Sequence, residues 1–188
     1  MKMMRYTYKA ILYFGLASTL LLSCSDDFVN VNSEDENSEN FFNTEDDYQN
    51  ALIGAYDLLQ SSYINVMLGE IASDNTLAGG ESATDGTGIQ EIDDMIHTPI
   101  NDQLRDVWNW MYGGVNRANY ILEFKDKIDF PNKPNVLGQA TFLRAYYYFE
   151  LVKFFGDVPL AVDQRLLFGD QNTVDRTPAA EVYAQIEL

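Results

Sequence analysis

Leu143-Arg144-Ala145-Tyr146-Tyr147-Tyr148-Phe149-Glu150-Leu151-Val152-Lys153-Phe154-Phe155-Gly156-Asp157-Val158-Pro159-Leu160 is the stretch whose reading decides the fold. Its apolar residues keep the three-four spacing of a helix. With Ala140 upstream, Leu143, Tyr147, Leu151 and Phe154 trace one stripe, and Phe142, Tyr146 and Phe149 trace a second. A helix apolar on two faces is expected to lie between other helices. Gly156 supplies a C-terminal stop, and Asp157 to Leu160 leaves in extended form. The helix is therefore expected over about Asn135 to Phe155.

Upstream, Pro131 and Pro134 mark a turn. Before it, Asp102 to about Asp126 reads as another long helix. Leu104, Val107, Trp108, Met111, Val115, Ala118 and Leu122 form its stripe, with Trp110 and Tyr112 off it. Gly113-Gly114 costs roughly 1 kcal/mol per glycine relative to alanine. That cost is tolerated where another helix packs close, so a neighbour is expected at this point. Two long helices joined by a short turn predict an antiparallel helical hairpin.

Nearer the N-terminus, Thr44-Glu45-Asp46-Asp47 carries the elements of a capping box, with acids at the positive end of the helix dipole. Tyr48, Ala51, Leu52, Ala55, Tyr56 and Leu59 follow as one stripe, predicting a helix to about Ser61 and a shorter one over Ile64 to Ala72. Ser73 to Pro99 breaks the periodicity with glycines and polar residues, and reads as a long loop, the kind of segment that is commonly functional. Near the C-terminus Thr177-Pro178 reads as a cap and first-turn pair, before the apolar positions Val182, Tyr183 and Ile186. No strand ladder is required, apart from a short piece near Pro159 to Val162. The expected class is all-α: a helical bundle of hairpins with long polar loop insertions. The last helix reaches Leu188 without a stop signal. This predicts a fragment of a longer protein, with apolar helix faces left bare and poor solubility on its own.

Composition narrows the function classes. The 188 residues carry 12 Lys+Arg against 29 Asp+Glu, a net charge of −17. That balance disfavours nucleic acid and anionic lipid as partners, and suits neutral ligands. One cysteine, Cys24, rules out an intrachain disulfide.

The N-terminus has its own logic. Lys2, Arg5 and Lys9 precede Ala10 to Leu22, a run of 13 residues without a charge. This is shorter than the roughly 20 residues that cross a bilayer, and fits a signal-peptide core. Leu21-Leu22-Ser23-Cys24 resembles the lipobox of bacterial lipoproteins. That resemblance implies cleavage before Cys24 and a lipid-bearing thioether on its sulfur, with palmitate as the further acyl group; the alternative is a buried structural cysteine. Ser25-Asp26-Asp27 resembles a surface-export tag, or is a plain acidic linker. Phe28 to Asn40 is too polar to build a core.

Three further stretches then fall in a familiar order. Phe41 to Tyr48 with Ala51, Gly54 and Ala55-Tyr56, then Trp108, Tyr112 and Asn116 to Ile121, then Leu143 to Phe149 with Phe155 to Leu160, together resemble the SusD/RagB family. Arg176-Thr177-Pro178, Val182-Tyr183 and Ile186 match the segment that follows. The resemblance implies tetratricopeptide-like helical hairpins and a division into a signal peptide (1–23), a flexible acidic tether (24–40) and an incomplete N-terminal helical domain (41–188). It implies a lipid-anchored protein of the cell outer membrane, facing outward. Such a protein binds oligosaccharide or another nutrient and delivers it to a TonB-dependent, SusC-like transporter, without bond chemistry. The competing reading is a helical-repeat scaffold lipoprotein with protein partners alone.

Candidate contacts are few. Asp74 and Asn75 open the polar loop with acceptors and donors suited to sugar hydroxyls, or simply form a turn. Trp110, off the helical stripe, offers an aromatic face, whereas Trp108 reads as core. His97, the single histidine, reads as an ordinary exposed side chain, leaving no triad and no His-rich metal site. Asp93-Asp94 and Asp85-Gly86-Thr87 could touch Ca²⁺ through oxygen, but without EF-hand spacing a solvated acidic loop is the better reading. No catalytic residue, metal or cofactor is expected.

Overall fold

The computed structural model describes residues 41–82, 84–162, 164–170 and 173–188. Cys24, the leader and the tether lie outside the described residues. Phe42–Leu188 form one unit, whose elements among the described residues are helical: α1 (Glu45–Asp57), α2 (Tyr63–Ile71), α3 (Thr87–Asp93), α4 (Asp102–Glu123), α5 (Lys133–Phe155) and α6 (Ala179–Ile186).

Local chemistry accounts for the helix ends. The Thr44 hydroxyl accepts the Asp47 N–H at 3.3 Å, and the Asp47 carboxylate accepts the N–H groups of Asn43 and Thr44, each at 2.8 Å. The capping box is thus complete, with one amide more than expected. Burial alone would raise the Asp47 carboxyl, but these hydrogen bonds hold it below the usual carboxylate range. The helix stops at Asp57, short of Ser61, because Leu58–Ser62 tightens into a 3₁₀ turn in which the Ser61 hydroxyl takes the Leu58 carbonyl. Asn101 caps α4 by accepting from Gln103 (3.1 Å) and Leu104 (3.3 Å). Gly156 ends α5 with a φ of 67°, and its N–H donates to the Val152 carbonyl at 2.9 Å.

The expected hairpin is α4 against α5. The close approach predicted at the glycine pair is there: a methyl group on Gly114 would lie 2.5 Å from ring atoms of Tyr147 on α5. The Tyr147 ring is fully buried, and its hydroxyl donates to the Ala55 carbonyl of α1 at 2.6 Å. One ring therefore joins three helices. Val107, Met111, Val115 and Ala118 of α4, Ala140, Leu143 and Leu151 of α5, and Leu52 of α1 are buried as well. At the far end Phe42 packs among Tyr48, Tyr120 and Phe124, with ring centroids 4.6, 4.7 and 5.3 Å away.

Four expectations need correction. The stretch Ser73 to Pro99 is not all loop, because it holds α3, whose Ile92 is buried; its isoleucines were masked by the surrounding glycines. The second stripe of α5 is not sandwiched: Phe142 is 68% and Phe149 42% exposed, while Tyr148 and Glu150 are buried instead. On α4, Tyr112 is buried and Leu104 and Leu122 are half-buried, so the covered face is rotated from the one read. Thr177 does not cap α6. Its backbone is spent on an antiparallel bridge to Val158 (3.2 and 2.9 Å), and the Asp157 carboxylate accepts the Ala179 N–H at 2.9 Å.

Candidate functional site

After Gly156 the chain runs back across the α4–α5 hairpin as an extended strap. Beyond the single Val158–Thr177 bridge the strap has no sheet partner among the described residues, so its backbone needs other groups, and the two helices supply them. On α4, Tyr112, Asn116 and Asn119 fall at helical spacing on one face. The Tyr112 hydroxyl donates to the Pro159 carbonyl at 2.7 Å. The Asn116 amide donates to the Leu166 carbonyl and accepts its N–H, both at 2.9 Å. The Asn119 amide donates to the carbonyls of Ala161 (2.9 Å) and Gln164 (3.1 Å).

On α5, Arg144 and Tyr148 are four residues apart and complete the clamp. The Arg144 guanidinium donates to the Val162 carbonyl and to the Asn119 side-chain oxygen. The Ala161 N–H donates to the Tyr148 hydroxyl at 2.7 Å, and that hydroxyl donates back to the Ala161 carbonyl at 3.1 Å. Burial pushes Tyr148 up to about 12 and raises Tyr112 further, so both remain neutral phenols with a proton to donate. Farther along, Arg165 pairs with Glu123 at 2.8 Å and lies 4.1 Å over the Tyr120 ring.

The strap makes a cleft. Pro159, Leu166 and Leu167 face Trp108, Tyr112 and Asn116 of α4, with Val174 and Arg176 closing a space of about 400 Å³. A second cleft of about 570 Å³ shares Trp108 and Arg176, and is bounded by His97, Thr98, Pro99, Leu104, Arg105, Phe154 and Phe155. Both volumes fall in the range of small-ligand sites. Trp108 stands between the two. Its ring lies 4.7 Å from Tyr112 and 5.0 Å from Phe155, the latter edge-on. An indole held this way by two other rings is a rigid platform for the C–H face of a sugar.

The residues singled out from the sequence lie elsewhere. Asp74 and Asn75 are exposed in the turn after α2, where the Asn75 N–H donates to the Ser73 hydroxyl at 3.3 Å. Trp110 is 38% exposed on α4. None of the three lines either cleft, and no described contact brings Trp110 to the Asp74–Asn75 turn. His97 is exposed and borders the second cleft. Asp93 and Asp85 serve turns, accepting the N–H groups of Ala78 (2.9 Å) and Glu81 (3.2 Å). Among the described residues no group of three His, Cys, Asp or Glu side chains could hold a metal ion. Trp108 was read as core; its half-burial is the feature that helical spacing could not show.

Comparison with known proteins agrees with this architecture. A family model described as starch-binding associating with outer membrane matches residues 27–188. SusD-like protein P38 of Formosa agariphila is 29% identical over 183 residues, 96% of this chain and 36% of that protein. SusD-like protein P25 of the same organism is 24% identical over 172 residues, 80% of this chain and 32% of that protein. Among solved structures, surface glycan-binding protein A from Bacteroides uniformis aligns with a TM-score of 0.65 at 29% identity, covering 76% of this chain and 32% of that one. A laminarin-binding SusD-like protein aligns with a TM-score of 0.69 at 28% identity, covering 78% and 32%. The chain spans about a third of the length of the curated relatives it matches. With its helical hairpin and strap inside a match that covers residues 27–188, the chain belongs to the SusD-like family.

Proposed function

We propose that this protein captures oligosaccharide at the outer face of a bacterial outer membrane and passes it to a TonB-dependent, SusC-like transporter. Lipid on Cys24 holds it to the membrane, and it carries out no bond chemistry. The observation that carries this reading is the Trp108 platform. A half-buried indole, braced by Tyr112 and Phe155, separates two clefts of sugar size in a member of a starch-binding family. The surface glycan-binding and laminarin-binding neighbours add support from their names alone. Trp110, Asp74 and Asn75 are exposed, and are proposed as outlying contacts for a longer glycan.

The test is a glycan array with the complete lipoprotein, joined to affinity capture from detergent-extracted membranes. Binding to at least one oligosaccharide and recovery of a barrel transporter are expected. Recovery of protein partners with no glycan retained would favour the scaffold reading.

A further inference from the structure

The charge of the second cleft runs against that of the chain. With 29 acids and 12 bases overall, a guanidinium has abundant carboxylates to pair with. Arg117, Lys133, Lys153 and Arg165 each do so, with Asp57, Asp129, Glu150 and Glu123, and Arg144 is spent on the strap. Arg105 and Arg176 differ. Among the described residues neither has a carboxylate within 4.0 Å, and both line the cleft beside Trp108, together with His97. Their sequence neighbours Asp102, Asp106 and Asp175 are not among the lining residues. The two arginines come from distant parts of the chain, α4 and the segment before α6, so the fold itself brings them to one concavity.

We infer that this cleft takes an acidic oligosaccharide, one bearing uronate carboxylates or sulfate esters, with Arg105 and Arg176 gripping the anionic groups while a sugar ring lies on Trp108. This rests on the capture reading and names its ligand class. The guanidinium fork matches the two oxygens of a carboxylate or sulfate, and such charge-assisted pairs are about twice as strong as neutral ones. The net charge of −17 does not forbid an anion here. At physiological ionic strength charges beyond about 8 Å are largely screened, so a ligand in the cleft responds to the two arginines it touches. The expectation of a neutral ligand, drawn from net charge, averages over a surface that the fold does not make uniform.

Titration calorimetry of the complete protein provides the test. Oligogalacturonate and sulfated galactan fragments serve as acidic probes, and maltohexaose and laminarihexaose as neutral ones. At least one acidic probe is expected to bind ten-fold or more tightly than either neutral probe. The double variant R105Q/R176Q should lose at least about ten-fold of that affinity, with the melting temperature unchanged. Equal or tighter binding of a neutral probe, or full acidic affinity in the double variant, would overturn the acidic assignment and leave oligosaccharide capture standing. No binding to any of the four would remove both.

Discussion

Replacing Tyr147 with alanine is expected to lower the unfolding free energy by about 3–5 kcal/mol, the range for deleting a fully buried aromatic ring. Three helices depend on this side chain. Its ring fills the notch left by Gly114, its hydroxyl holds the Ala55 carbonyl at 2.6 Å, and Tyr146 packs edge-on at 5.6 Å. The notch makes a sharper prediction. Gly114→Ala alone should destabilise, because the added methyl meets a ring anchored at its backbone and at its hydroxyl. Overpacking costs about 1–3 kcal/mol, against a helix-propensity gain of about 1 kcal/mol. In the Tyr147→Ala background the clash is gone, and Gly114→Ala should become neutral or stabilising. Urea denaturation of the four chains measures this coupling. Strict additivity would mean that ring and glycine do not meet.

Replacing Arg144 with methionine should cost about 2–3 kcal/mol, the scale for a hydrogen bond made by a charged group to partners that are at least half-buried. The Val162 carbonyl and the Asn119 side-chain oxygen both lose a donor. Unlike the loss at Tyr147, this one is local. The hairpin core keeps its packing, while the strap loosens over the cleft that it walls. Amide hydrogen exchange should therefore quicken at Ala161 and Leu166, which donate to Tyr148 and Asn116, and stay slow at the centre of α5. Unchanged exchange at both strap amides would show that Arg144 does not hold the strap.

Much of the fold was legible because its signals are short-range. The Thr44–Asp47 box, the Gly156 stop and the helical periodicity that marks out α4 and α5 are each read within a few residues, and the box, the stop and the two long helices are found where expected. The close packing at Gly114 was readable because a glycine inside a long helix needs a reason. The strap was not. Asn116, Asn119, Arg144 and Tyr148 resemble family positions, yet their work is to hold carbonyls 13 to 50 residues away, and no local period records that. The cap of α6 comes likewise from Asp157, 22 residues before Ala179. Apolar periodicity shows that a face is greasy but not what covers it. Phe142 and Phe149 on α5 were read as buried between helices, and they stand exposed, with Ile53, Tyr63 and Val66 of the first helices exposed as well. The same ambiguity put Trp108 in the core and left Trp110 as the candidate, whereas half-burial beside two clefts distinguishes Trp108.

The oligosaccharide affinity of the complete protein carrying Trp108→Ala is the measurement that bears most directly on the cleft as the place of capture. Truncating a central aromatic anchor costs about 2 kcal/mol or more, so a loss of roughly thirty-fold is expected, with Trp108→Phe retaining most of the binding and both variants folded by circular dichroism. Undiminished affinity in a folded Trp108→Ala protein would contradict it, and would place the sugar elsewhere on the molecule.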